Sequence, residues 1–355
     1  MERRNPPMPG KFKSSATTIH VDDAVGKVLA HDMTEIRPGQ YKGPAFKKGQ
    51  ILREEDLDHL KRLGKEHLYV LDIAPGEVHE DEAALRLAQA LSGPGIRFDP
   101  HPAEGKIALK SAHPGLLKVH VEALTAFNLV EDVTCSSRHT NTLVEEGEVV
   151  AATRAIPLII REKALEQGVA VARRVGGILS VRPLSRPDTG LIITGNEVYS
   201  GRIDDKFAPI LKKKISDFGC RLHEIRFLPD DRTRISQAIQ GLLEEGVGLI
   251  LVAGGMSVDP DDVSRLAIAD AGAEDVVYGT PVLPGAMFLY GRYGDVPVLG
   301  LPACVLFYRA TVLDLLLPRV LAGEQLTRQD LAALAHGGLC LNCETCRYPV
   351  CPFGK

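Results

Sequence analysis

Leu249-Ile-Leu-Val-Ala-Gly-Gly-Met-Ser-Val-Asp-Pro-Asp-Asp-Val-Ser264 joins an unbroken apolar run to a glycine pair and a cluster of aspartates. A short apolar run bounded by a turn signal is the pattern of a strand buried on both faces of a parallel sheet. Gly254 and Gly255 permit a tight turn and let a ligand approach bare backbone. The N–H groups that follow are expected at a helix N-terminus, where anions bind. Asp259, Asp261 and Asp262 crowd the same loop. Carboxylates beside a phosphate repel it unless a hard cation such as Mg²⁺ lies between them. The stretch therefore points to a phosphorylated ligand with a metal. Taken alone, it also fits a plain turn followed by a capped helix.

Outward from this stretch, residues 190–321 alternate strand and helix patterns, the mark of parallel α/β units. Strands are expected at residues 191–194, 221–228, 249–253 and 296–301, and helices at 205–218, 231–243, 263–271 and 306–321. In an open parallel sheet, ligands sit beyond the carboxyl ends of the strands. Three of these ends carry similar decoration: Thr194-Gly195-Asn196-Glu197, Asp230-Asp231, and Gly254-Gly255 with Asp261-Asp262. Three such loops on one rim make a site the better reading than surface dressing.

These residues resemble the molybdenum-cofactor biosynthesis domain, which binds molybdopterin. Its marks are Thr-Gly-Asx-Glu, Pro-Asp-Asp, and Gly-Gly-x-Ser-Val followed by Asp, and the match runs over about residues 188–323. The resemblance implies a three-layer αβα domain with a mostly parallel sheet gripping the pterin's phosphate end. It implies that Glu197, Asp231 and Asp262 are catalytic, that Asp262 helps hold Mg²⁺, and that Thr194, Gly195, Gly254, Gly255 and Ser257 cradle the phosphate. A shorter stretch, Val21-Asp-Asp-Ala-Val-Gly-Lys-Val-Leu-Ala-His-Asp32, is similar to a segment of the molybdopterin molybdotransferase. That enzyme exchanges the AMP of adenylated molybdopterin for molybdate, with Mg²⁺ assisting. The chain departs from it at three places. Gly279 and Leu283 stand where the transferase has lysines, Ala303-Cys-Val-Leu-Phe307 replaces Gly-Asn-Pro-x-Ser, and an Asp-Asn-Ser-Ala-Met-Asp-Gly segment is missing. Lys212–Lys214 and Arg265 are the available substitute cations, although a lysine run is more simply a solvated helix face. Competence-damage-type nucleotide pyrophosphatases share the domain, and the paired Asp261-Asp262 with Ser264 matches part of their motif. The expectation is molybdopterin binding, with either molybdate insertion or a non-catalytic carrier or redox-sensing role. A nucleotide pyrophosphatase is the further alternative.

The last sixteen residues hold four of the seven cysteines, as Cys340-x2-Cys343-x2-Cys346-x4-Cys351-Pro352. An odd total with one tight cluster indicates a metal site in a reducing compartment rather than a disulfide framework. The spacing resembles a ferredoxin cluster run with one extra residue, so [4Fe–4S] is expected first and Zn²⁺ second.

The remainder is read as follows. Residues 1–80 form a β-rich region, 81–186 a mixed α+β region, 187–325 the α/β domain and 336–355 the cysteine tail, with a linker near 182–188. Helices are expected at 54–64, 79–91 and 163–175, with β-leaning pieces across 96–160. Residues 19–36 are expected to hold a strand after a turn, 46–53 a hairpin edge and 68–71 a strand. Residues 1–13 read as a frayed terminus without a signal-peptide core, giving a cytoplasmic expectation. His101, His113, His120 and His139 fit no ligand template, and no catalytic constellation is expected in residues 1–185. With 45% hydrophobic and 25% charged residues the chain is globular. Its net charge of -4 argues against nucleic acid as a partner. Expected partners are molybdopterin, a second copy of the chain, and molybdoenzymes or other cofactor-biosynthesis proteins.

Overall fold

The computed structural model describes residues 17–37, 41–70 and 73–355. The segment expected to fray, residues 1–13, and the end of the strand expected at 68–71 lie outside them. The chain divides into two compact units. The first comprises residues 1–113, 117–138 and 144–181, and the second residues 114–116, 139–143 and 182–355.

In the first unit, Thr17–His20 pairs antiparallel with His67–Val70, and Met33–Arg37 with Tyr41–Phe46. Leu29, Phe46, Leu52, Leu60 and Leu68 form a small core beneath the helix Glu54–Arg62. The rest of the unit packs helices Glu80–Leu91 and Glu162–Arg174 on an antiparallel four-stranded sheet. Its strands, in order, are Ile96–Phe98, Lys106–Ser111, Val149–Ala155 and Val133–Ser137. Leu87, Leu91, Ile107, Leu109, Phe127 and Leu165 are buried together there. The helix Val121–Asn128, absent from the sequence reading, starts where the His120 ring accepts the Ala123 N–H. His79 caps Glu80–Leu91 in the same way, its Nδ1 accepting the Asp81 N–H at 3.1 Å. Lys48 Nζ donates to that same Nδ1 at 2.7 Å, so Nε2 carries the hydrogen and donates to the Ala30 carbonyl at 2.9 Å.

The second unit is built on a six-stranded sheet. Its order is Arg221–Leu228, Asp188–Thr194, Leu249–Ala253, Val296–Leu301, Leu289–Tyr293, Glu274–Tyr278. The first four strands are parallel, Leu289–Tyr293 runs against them, and the edge strand Glu274–Tyr278, antiparallel to its neighbour, runs with them again. Alternating side chains enter two cores, as strand pleating requires. Leu191, Ile193, Leu249, Leu251 and Leu299 meet helices Phe207–Asp217 and Val312–Leu321 on one face. Ile192, Ile250, Val252 and Val298 meet helices Arg232–Glu244 and Ser264–Asp270 on the other. This is a three-layer αβα arrangement with a mixed sheet. The register pairs Thr194 with Leu228, Ile193 with Ala253, and Ala253 with Leu301, so four carboxyl ends finish level on one rim.

Two sequence expectations change here. The apolar stretch 306–321 is not one helix: a 3-10 turn, Ala303–Leu306, precedes a break, and the helix begins only after Thr311. Thr311 and Asp314 form a reciprocal capping box, a local start signal that outweighs the run of apolar residues before it. The pieces Glu274–Tyr278 and Leu289–Tyr293, not assigned as strands from the sequence, extend the sheet antiparallel. Among the described residues no helix is long and apolar enough to cross a membrane.

Candidate functional site

The level strand ends bring the predicted loops to one rim. Gly254 and Gly255 hold φ of +96° and +62°, in the left-handed region. A Cβ at Gly254 would lie 2.5 Å from the Thr194 carbonyl oxygen, and one at Gly255 2.4 Å from the Ser264 Oγ. The turn is thus pressed against a wall made by Thr194 and Ser264, whose buried hydroxyls are 3.1 Å apart. On its open side lies a cavity of about 340 Å³. Gly254–Ser257 and Asp262 line one part of it, and Gly285–Met287 and Pro302–Cys304 the rest.

The helix begins at Ser264, close to the start expected at 263, so the N–H groups that follow the glycine turn do not lie at a helix N-terminus as the sequence reading expected. Residues 256–263 intervene, and the Ser264 N–H donates to the Gly255 carbonyl at 3.2 Å. The aspartates shape this loop: Asp262 Oδ2 accepts the Asp259 N–H and Asp259 Oδ1 accepts the Asp261 N–H, each at 3.2 Å. Side-chain bonds to nearby N–H groups compete with helix formation, which delays the helix start.

Of the three predicted acidic residues, Asp231 is committed elsewhere. It is the N-cap of helix Arg232–Glu244, its Oδ1 accepting the Arg234 N–H at 2.9 Å. The rim carboxylate from this loop is its neighbour Asp230. Asp230 Oδ2 accepts the Asn196 N–H at 2.9 Å, while the Asp230 N–H donates to Asn196 Oδ1 at 3.2 Å. Partial burial raises the Asp230 carboxyl above the usual carboxylate range. The Asn196 bond opposes this, and the charges of Glu197, Asp262 and Asp261 add to it. Carboxylates from three loops therefore act on one another. The signal that separates Asp230 from Asp231 was in the sequence: the residue just before the first helical position is the cap. Gly195 donates its N–H to the Leu228 carbonyl at 3.2 Å and precedes the short helix Asn196–Tyr199, which carries Glu197 into solvent. Thr194, Gly195, Glu197 and Asp231 do not line the glycine-turn cavity.

Residues 190–322 match a family model described as "Probable molybdopterin binding domain", and residues 18–72 match one described as "Domain of unknown function (DUF8806)". Residues 190–322 belong to the molybdenum-cofactor biosynthesis domain family. A CinA-like protein of Mycobacterium sp. (strain JLS) is 30% identical over 91 residues, 26% of this chain and 22% of that protein. The molybdopterin molybdenumtransferase of Synechococcus elongatus is 25% identical over 142 residues, 38% of this chain and 35% of that enzyme. The chain thus spans only about a fifth to a third of these relatives' lengths. Among solved structures, the MoaB protein of Thermus thermophilus aligns with a TM-score of 0.33 and 19% identity, covering 39% of this chain and 98% of that one. The Mog protein of Mycobacterium ulcerans aligns with a TM-score of 0.33 and 23% identity, covering 38% and 95%.

Within this molybdopterin-binding-family domain, none of the candidate substitute cations, Lys212–Lys214 and Arg265, lines the glycine-turn cavity. Lys213 pairs with Asp217, Lys214 with Asp314, and the Arg265 guanidinium lies 4.6 Å from the Tyr278 ring centroid. At Gly279 the neighbouring cation is Arg328, whose Nη1 donates to the Tyr278 and Gly279 carbonyls at 2.8 Å each. Leu283 is exposed and pairs through its backbone with residues 338 and 340. Cys340, Cys343, Cys346 and Cys351 line a single separate cavity of about 470 Å³. Among the described residues no three His, Cys, Asp or Glu side chains form a group that could hold a single metal ion.

Proposed function

We propose that the second unit binds the phosphate end of molybdopterin, or of adenylated molybdopterin, in the glycine-turn cavity. The observation that carries this reading is the Gly254-Gly255 turn. Both residues hold left-handed φ, are backed by the Thr194–Ser264 wall, and open onto a cavity that includes Ser257 and Asp262. Bare backbone of this kind accepts an anion without steric conflict. A divalent cation such as Mg²⁺ needs only one or two carboxylates beside phosphate oxygens and water, so the ligand's own phosphate would complete its shell at the rim. Asp230 is raised by burial and by the carboxylates of Glu197, Asp262 and Asp261, a strain that a hard cation relieves. When bound, such an ion would neutralise charge on a phosphate or phosphoanhydride. Asp262 and Asp230 would hold it, and Ser257 would orient the phosphate. Asp231 would act only by holding the helix start.

Whether the domain also inserts molybdate with release of AMP turns on cations. No Lys or Arg lines the glycine-turn cavity. This favours a binding or carrier role over insertion, because charge-assisted bonds are the strong contacts to an oxyanion.

Titration of adenylated molybdopterin with and without Mg²⁺ tests the reading. D230N and D262A should each weaken Mg²⁺-dependent binding about tenfold, the loss of one charge-assisted contact. D231A should leave affinity nearly unchanged while lowering stability by about 1 kcal/mol, the loss of a helix cap. Raising the pH through the carboxylate range should strengthen the Mg²⁺ effect, since protons compete with the cation for Asp230. Wild-type affinity in D230N and D262A would refute the site. AMP release that requires molybdate would favour the transferase over the carrier.

A further inference from the structure

The second cavity has no part in that function. Residues 339–355 contain no helix and no strand of their own, yet they are docked rather than loose. Phe353 is buried in the core of the second unit, and the Tyr348 hydroxyl donates to the Asp314 carbonyl at 3.0 Å. The Cys340 N–H donates to the Leu283 carbonyl at 2.8 Å, and the Gly354 N–H returns to the Gly337 carbonyl at 2.9 Å, closing the segment on itself. Asn342 takes φ of +48°, turning the chain between Cys340 and Cys343.

This anchored arch spans a void of about 470 Å³ that all four cysteines line. Protein interiors are close-packed, and a void of this size beside a core is the place for a bound body. All four thiols are free. A single ion needs its ligand sulfurs about 2.3 Å from one centre. A polynuclear centre binds each thiolate at a different iron, so its sulfurs stand further apart. The spacing x2, x2, x4 with Pro352 after the last cysteine suits that arrangement. Arg309 and Arg347 line the same void, with Glu344, and their charge complements an anionic thiolate-ligated cluster.

We propose that Cys340, Cys343, Cys346 and Cys351 ligate a [4Fe–4S] cluster in this cavity. The proposal does not depend on molybdopterin binding at the glycine turn. Cys343 is the exposed ligand and would be the route by which oxygen attacks the cluster.

The test is to purify the full chain without oxygen and measure iron, zinc and acid-labile sulfide, together with the visible absorption before and after dithionite. About four irons and four sulfides per chain are expected, with a broad absorption that bleaches on reduction. C343S and C346S should each lose most of the iron while keeping wild-type far-ultraviolet circular dichroism. C135S and C220S, at buried thiols outside the cavity, should keep it. If either variant fails to fold, reconstitution of the chelated wild-type chain with ferrous iron and sulfide gives an independent readout. Stoichiometric zinc without sulfide, no metal after reconstitution, or iron retained in folded C343S and C346S would each overturn the proposal.

Discussion

At Gly254 and Gly255 the backbone takes a conformation that L-residues rarely adopt, and the space where a Cβ would go is filled. At Gly254 the obstacle is backbone, the Thr194 carbonyl, which cannot rotate aside; at Gly255 it is the Ser264 hydroxymethyl. Left-handed strain and overpacking add, so G254A should lower stability by roughly 2–4 kcal/mol and G255A by somewhat less. Urea denaturation followed by circular dichroism reads both values. Equal and negligible losses would mean the turn is not pressed on that wall. The same scale separates Asp230 from Asp231: adjacent and chemically identical, one faces the rim and one caps a helix. Residue type alone cannot divide such a pair, but position relative to the helix start does.

At the scale of elements, the break before helix Val312–Leu321 matters for both cavities. The break residues Phe307–Ala310 line the cysteine cavity, while Pro302–Cys304, just upstream, line the glycine-turn cavity. Thr311 fixes where the helix starts: its Oγ1 accepts the Leu313 N–H at 3.3 Å, and Asp314 Oδ2 accepts the Thr311 N–H at 2.8 Å. Thr311 is fully buried. T311A should therefore cost about 1–2 kcal/mol, with T311S restoring most of it. Thermal melts of the three proteins give the comparison, and a T311A melt equal to wild type would show the cap to be idle. Three of the sheet's parallel strands were legible as apolar runs closed by a turn residue, and Arg221–Leu228 as the piece between Gly219 and Pro229. Glu274–Tyr278 and Leu289–Tyr293 were not. The first is a largely exposed edge, Glu-Asp-Val-Val-Tyr, that lacks a strand's alternation and pairs with a register shift, and the second is short and glycine-containing.

At the scale of the whole molecule, two histidines in the first of the two units set a response to acid. In the first, burial depresses both His31 and His79 below the ordinary imidazole value of 6.5. His31 Nδ1 is buried without a hydrogen-bond partner, and Lys48 sits against His79 Nδ1. The folded state thus binds fewer protons than the unfolded chain as pH falls through 6.5. The stability these rings contribute is present above that value and lost below it, at up to about 1.4 kcal/mol per pH unit for each proton. Urea melts at a pH of about 7.5 and about 5.5 should show this loss, and H79Q should reduce it. An unchanged slope in H79Q would remove His79 from the account.

By itself, the sequence determined the parallel α/β core, the glycine turn at the end of its central strand, and the grouping of four cysteines, because each is written in contiguous residues. Only the tertiary structure decided which carboxylates share a rim, that Lys213, Lys214 and Arg265 do not line the glycine-turn cavity, and that the cysteine tail arches over a void instead of closing on a point. These depend on strand register and on where distant segments dock. Such properties arise from packing between residues far apart in the chain, which no local pattern encodes.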